Sequence, residues 1–171
     1  MVGAGAAGLK HCKRYIAAHN QDGKSIYAES PEQVFNAVPN FGGMARAYCQ
    51  ANGRTSFKKT NIVPTEPGAN LLVVDLEPDG TMHRTISIDF SICCIGEIDH
   101  ELDGGEKVRL HPGDHIIQRG TMHRWLNALK TNPARFVACT IPCVPFDIAG
   151  KELEEIHIPN PAPTHEVTFS L

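Results

Sequence analysis

Nowhere does the chain string together the roughly 20 apolar residues that a membrane-spanning helix needs. Residues 1–8 carry neither the basic segment nor the apolar segment of a secretory leader, so the protein is expected to stay in the cytoplasm. Cations are not in excess either, since 16 Lys and Arg face 19 Asp and Glu for a formal charge of −3. The densest basic stretch, Lys10, Lys13 and Arg14, is interrupted and short. Nucleic acid, whose phosphates demand a concentrated basic face, is therefore not an expected partner. Six cysteines in 171 residues are too few and too irregularly placed for a disulfide framework. Cys139 and Cys143, either side of Pro142, also lack zinc-knuckle spacing. Gly3, Gly5 and Gly8 spell a dinucleotide-like G-x-G-x-x-G, but no strand precedes them, and they read as a frayed end.

What remains is an ordinary globular composition, 42% apolar and 20% charged, in a length that suits one core. Residues 9–28 read as a strand or arm. Ser30 and Pro31 supply a cap and first helical position for a short helix carrying Val34, Phe35 and Val38, closed by Pro39 and the Gly42-Gly43 pair. Residues 44–59 are expected to be a second short helix or a loop. From residue 69 the texture changes to short β-rich runs at 71–76, 84–95, 107–110, 115–118, 123–126 and 134–141. Turn signals such as Asp103-Gly104-Gly105 and His111-Pro112-Gly113 separate them. Regular short strands of this kind predict a β-sandwich or barrel. The tail, with Pro159, Pro161 and Pro163, reads as an extended surface segment.

The run 82–95 splits by chemistry when its side chains are dealt alternately to the two faces of a strand. His83, Thr85, Ser87, Asp89 and Ser91 fall on one side, Arg84, Ile86, Ile88, Phe90 and Ile92 on the other. A half-exposed strand would turn the polar set to water. A second segment argues for the reverse, because His123, Trp125 and Asn127 share a face directly after a glycine turn and offer another imidazole to the same interior.

The segment from Gly80 to Asn127 resembles the two-motif core of the cupin family. The first motif, G then H-x-H, an acidic residue and a later G, reads here as Gly80, His83-Arg84-Thr85, Asp89 and Gly96. The second, G then P-x-G, H and N, reads as Gly113-Asp114, Gln118-Arg119-Gly120, His123 and Asn127. Thr85 stands where the family has a second histidine, Asp89 where it has glutamate, and Gln118 where it has proline, in a turn one residue shorter. The resemblance implies an all-β fold, a cupin-type double-stranded β-helix or jelly-roll barrel with an N-terminal arm and one or two short helices. On this reading residues 1–65 form the arm and helical segment, 66–145 the barrel and 146–171 a C-terminal extension.

The resemblance also carries over His83, Asp89 and His123 as ligands for one divalent transition metal, Fe, Mn or Zn, and the same three are the acid/base candidates if no metal binds. Six residues of straight strand span about 20 Å, so Asp89 can join His83 only across a bend. Gln118, Arg119, Trp125, Thr85 and His115 are candidate substrate contacts, Arg119 as a clamp for a carboxylate. Three functions stay open. One is a lyase-type decarboxylase, dehydratase or isomerase acting on a carboxylated or polyketide-like metabolite; another is a metal-dependent dioxygenase; the third is a non-catalytic binding module. A homodimer is expected, since Ile86, Ile88, Phe90 and Ile92 must be covered if the opposite face lines the lumen.

Overall fold

The computed structural model describes residues 9, 12–29, 32–38, 41–51, 54–56, 62–129 and 131–158. Among them the secondary structure is entirely strand: β1 (Ile16–His19), β2 (Ser25–Ala28), β3 (Asn36–Val38), β4 (Gly42–Ala51), β5 (Arg54–Ser56), β6 (Gly68–Leu76), β7 (His83–Arg84) and β8 (Ser87–Ile95). There follow β9 (Ile98–Leu102), β10 (Lys107–Leu110), β11 (His115–Arg119), β12 (His123–Asn127), β13 (Ala134–Pro142), β14 (Asp147–Ile148), β15 (Lys151–Glu152) and β16 (Ile156–His157).

Two sheets carry the architecture. The larger runs β11-β8-β13-β6-β4-β3, with β5 on β4, and the smaller runs β10-β9-β12-β7-β16. From β8 onward the chain crosses between them: β9 and β10 in the smaller sheet, β11 in the larger, β12 in the smaller, β13 in the larger. That alternation is the jelly-roll winding. The core lies between the sheets, where Leu72, Val74 and Leu76 of β6 and Phe136 of β13 meet Ile98 of β9, Leu110 of β10 and Trp125 of β12. Two glycines of the cupin-like motifs sit where no other residue fits. A Cβ on Gly80 would come 2.0 Å from the Trp125 carbonyl oxygen, and one on Gly96, at φ +76°, 2.5 Å from that of Pro133. Gly96 is thus the corner at which β8 leaves one sheet and β9 enters the other.

The helix expected from Ser30 and the helix or loop expected at 44–59 are corrected: among the described residues 32–35 carry neither helix nor strand, and 36–38, 42–51 and 54–56 are strand. Val34 is 53% exposed and its neighbour Phe35 1%, an alternation of period two that no helix stripe produces. Val38 lies in β3 and pairs with Gly42 across a tight turn. Gly42 and Gly43, read as a helix stop, instead open β4, because β6 runs so close that a Cβ on Gly42 would meet the Asp75 carbonyl oxygen at 1.9 Å. Residues 44–51 continue as a strand along β6. The larger sheet therefore begins well before residue 66, and β16 adds an edge to the smaller sheet after residue 145. Ser30, Pro31, Pro39, Lys10, the three leading glycines and Pro159, Pro161 and Pro163 lie outside the described residues.

On the outer face of the larger sheet, Arg135 makes a two-pronged ion pair with Asp75 on the neighbouring strand, and its guanidinium lies 5.3 Å from the Phe35 ring. Both charges are buried, at 6% and 0% exposure. No helix among the described residues is long and apolar enough to cross a membrane.

Candidate functional site

The strand dealt by chemistry folds with its polar side inward. Ser87, Asp89 and Ser91 are buried along β8, whereas Phe90 and Ile92 are 43% and 46% exposed. The bend demanded between His83 and Asp89 falls at residues 85–86, where β7 ends and β8 joins the other sheet. His83 thus reaches the lumen from one sheet and Asp89 from the other. β12 pairs with β7 so that His123 stands directly opposite His83, and the two rings are 4.4 Å apart.

Gln118 joins these groups. Its Nε2 donates to Asp89 Oδ2 and to His123 Nε2, both at 3.0 Å, and its Oε1 accepts from His100 Nε2 at 3.1 Å. The amide orientation and the tautomers follow from this arrangement. His123 gives its Nδ1 hydrogen to the Thr121 carbonyl at 2.9 Å, which leaves Nε2 free to accept. His83 does the same toward the Thr81 carbonyl at 2.9 Å, so its Nε2 also carries a lone pair. Asp89 Oδ1 is buried and accepts no hydrogen bond. The nearby Ser87 hydroxyl shares a 2.8 Å hydrogen bond with Thr85 Oγ1 in which either oxygen can donate.

Burial sets the electrostatics. It favours neutral imidazoles and pushes His123 down to about 3, with the proximity of His83 and His100 adding to the effect. Burial likewise lowers His83 and His100. The Asp89 carboxyl is pushed up by burial, with Ser87, Gln118 and His83 opposing. The lumen therefore holds uncharged bases beside one weakened acid.

Trp125 lines this space and stacks on Phe136, ring centroids 4.6 Å apart. Thr85 lines it too. Arg119 and His115 do not. Gln118 points inward, so its neighbour Arg119 points outward, where the guanidinium lies 4.1 Å over the Phe146 ring. His115 shares its parity with Ile117, as the sequence indicated, but that parity is the exposed one. Gln118 and Arg119 are the last residues of β11 and not a turn.

Sequence reasoning missed His100. No strand was expected between residues 95 and 107, yet Ile98, His100 and Leu102 alternate with Asp99 and Glu101, a period-two pattern that β9 realises. It also missed His157 on β16, whose ring lies parallel to that of His83 at 5.9 Å.

Two spaces adjoin the network. A small cavity of about 40 Å³ is bounded by His83, Asp89, Gln118 and His123 together with apolar core residues. An open cleft of about 620 Å³ lies between the edge strands β10 and β11, walled by Leu102, Val108, Ile116 and Ile117 and floored by His100 and Gln118.

No protein-family model matches the chain. Among curated proteins it is 35% identical to phomopsin biosynthesis cluster protein C' of Diaporthe leptostromiformis, over 85% of this chain and 86% of that one. It is 29% identical to the cupin-domain-containing oxidoreductase srdB of Neurospora crassa, over 87% and 83% of the two chains. The chain belongs to the cupin superfamily. It is also similar to oryzines biosynthesis cluster protein J of Aspergillus oryzae, at 31% identity over 83% of this chain and 89% of that one. Among solved structures, a Cupin 2 conserved barrel domain protein from Salinispora arenicola aligns with TM-score 0.45 and 14% identity, over 63% of this chain and 80% of that one.

The donor set of this cupin suits a transition-metal ion in kind. Two imidazoles present unprotonated Nε2 atoms because each Nδ1 hydrogen is tied to a backbone carbonyl, the arrangement that fixes metal-binding histidines. The orphaned Asp89 Oδ1 is the third donor. Among the described residues, however, no three His, Cys, Asp or Glu side chains stand close enough to hold an ion. An ion would have to displace the Gln118 amide from His123 Nε2, while Asp89 Oδ1 is open to it. Held by His83, Asp89 and His123, it would supply Lewis-acid polarisation and open coordination positions.

Proposed function

We propose that this cupin is a small-molecule enzyme of a biosynthetic pathway, and that its lumen moves protons on the substrate in a dehydration, isomerisation or decarboxylation. The observation that carries the reading is the Gln118 clamp. One amide holds Asp89 and His123 in fixed geometry while Asp89 Oδ1 and His83 Nε2 stay open. A substrate proton placed against Asp89 Oδ1 passes to a carboxylate that burial has made more basic, and a neutral imidazole beside it offers a second station. Relatives named for phomopsin and oryzine biosynthesis clusters support the pathway setting.

The test is a panel of candidate metabolites incubated in D2O and followed by mass spectrometry. Wild type is expected to introduce solvent deuterium or eliminate water or CO2, and Asp89→Asn to lower the rate about 10²-fold or more with its melting transition retained. Full activity in Asp89→Asn would end the proposal.

A second reading is favoured by the names of four relatives, all cupin-domain-containing oxidoreductases. It is a metal-dependent dioxygenase using His83, Asp89 and His123. Consumption of substrate that stops without dioxygen and after chelation would select it; equal rates with and without air would remove it.

A further inference from the structure

The lumen and its cleft differ sharply in the charges they offer. Among the described residues no Lys or Arg side chain lines the cavity, and its one carboxylate is Asp89. The cations of the neighbouring strands point outward: Arg124 pairs with Glu101, Arg109 with Asp99, Arg135 with Asp75, and Arg119 lies over Phe146. Among the described residues the one Lys or Arg on the cleft is Lys107, held by Asp99 at 2.8 Å, and Glu106 beside it adds a negative charge. A carboxylate ligand would thus leave water, meet no partner inside and face Asp89. Asp89 Oδ1 is an acceptor without a donor in a residue only 6% exposed, bordering a cavity with room for about two or three waters. The 620 Å³ cleft beyond Gln118 and His100 has the volume of a small-molecule pocket and apolar walls.

We infer that the ligand of this site is an uncharged, largely apolar small molecule that enters between β10 and β11 and gives a hydroxyl hydrogen to Asp89 Oδ1, while carboxylates are rejected. The inference rests on the small-molecule reading above and narrows it. Decarboxylation, which needs a carboxylate substrate in the lumen, drops out, and dehydration and isomerisation of hydroxylated compounds remain. Gln118 lines both the cleft and the cavity, and the ligand's hydroxyl reaches Asp89 past its amide. The second large cleft, about 510 Å³ beside Glu155 and His157, shares Thr85 and Ile62 with the cavity and does not reach Gln118.

Trp125, the single tryptophan, lines the cavity and packs edge-on against His100 of the cleft, ring centroids 4.5 Å apart, so its fluorescence reports occupation of either. Three probes share a skeleton and differ in charge: benzyl alcohol, benzoate and benzylamine. At pH 7 benzyl alcohol is expected to change the emission saturably, with benzoate about tenfold or more weaker, the least penalty for an unpaired buried charge. Benzoate binding as well as the alcohol, benzylamine binding better, or no saturable response to the alcohol would each overturn the inference. Val108→Arg, at a position already 47% exposed, is expected to narrow the gap between benzoate and alcohol by placing a cation on the cleft. An unchanged gap would refute the route between β10 and β11. The titration is repeated after dialysis against EDTA; loss of the alcohol response would assign Asp89 Oδ1 to a metal ion and overturn its role as hydroxyl acceptor. Because the readout is binding, the two proposals fail separately. Preference for the alcohol with no turnover of any metabolite removes the enzyme and keeps the ligand class, whereas turnover of a carboxylate does the opposite.

Discussion

Acidification from pH 7 to pH 4 should destabilise this protein steeply, and His123 should account for the largest single share. An exposed histidine titrates near 6.5, whereas His123 in the fold is held down to about 3. Between those values the unfolded chain binds a proton that the native chain refuses. Stability follows 2.303RT times the excess of protons on the unfolded state, so it falls as the pH drops through this window and stops falling below about 3, when both states are protonated. At about 1.4 kcal/mol per pH unit the full gap is worth on the order of 5 kcal/mol, comparable with the whole stability of many domains. His83 and His100, also lowered by burial, add in the same direction. Asp89 opposes them, because a carboxyl raised in the fold takes its proton before the unfolded chain does as the pH falls. Urea unfolding of EDTA-treated protein at a series of pH values, read by Trp125 fluorescence, measures the slope. His123→Leu cannot take the proton, and although Gln118 loses one acceptor at every pH, the slope should shrink by about one proton, 1.4 kcal/mol per pH unit. Equal slopes in wild type and His123→Leu would show that the imidazole is not held neutral, and would refute the burial of His123 on which the site depends.

Two further outcomes test the scaffold. Asp75→Ala leaves Arg135 charged and buried and should cost about 3–5 kcal/mol in urea unfolding, whereas the double change Asp75→Leu with Arg135→Met should cost far less. Ile117, Phe90, Cys139 and Leu71 stand opposite one another across four adjacent strands of the larger sheet, and Ile117, Phe90 and Leu71 are 64%, 43% and 40% exposed. Light scattering at micromolar concentration should therefore find a dimer of this chain, and Phe90→Lys should give a monomer.

The barrel was legible because its strands are short, bounded by turn residues and dealt by chemistry to two faces. The inverted run 82–95 was legible for the same reason: period two survives whichever face is buried, and a second imidazole on β12 decided the direction. Residues 34–51 were misread because Ser-Pro and Gly-Gly are local signals, whereas β3 is held by β4, and β4 in turn by β6, which lies more than twenty residues downstream of the turn that joins β3 to β4. Arg119 was misplaced because a glycine turn was taken to start one residue too early, and in a strand one residue exchanges inside for outside. His100 required β9, which carries acidic residues on its outer face, Asp99 and Glu101, and so lacks the apolar density of its neighbours.

The departure from the family pattern at residue 118 explains how the lumen is organised. A proline there could not reach Asp89, whereas glutamine sends an amide to Oδ2 of the carboxylate and to Nε2 of His123. The amide therefore competes with a metal for the His123 Nε2 lone pair and leaves Asp89 Oδ1 open. Gln118→Ala removes the competitor without touching any donor, so zinc binding measured by calorimetry should tighten. A hydrogen bond to a neutral imidazole contributes about 1 kcal/mol, which corresponds to a Kd lower by about fivefold. The metal-free variant should at the same time melt below wild type, since Asp89 then loses the hydrogen bond to Oδ2. Zinc bound equally by both proteins would show that the amide yields at no cost. Gln118 would then be a bystander to the donor set, and the site would have to be read as an ordinary metal centre of the family.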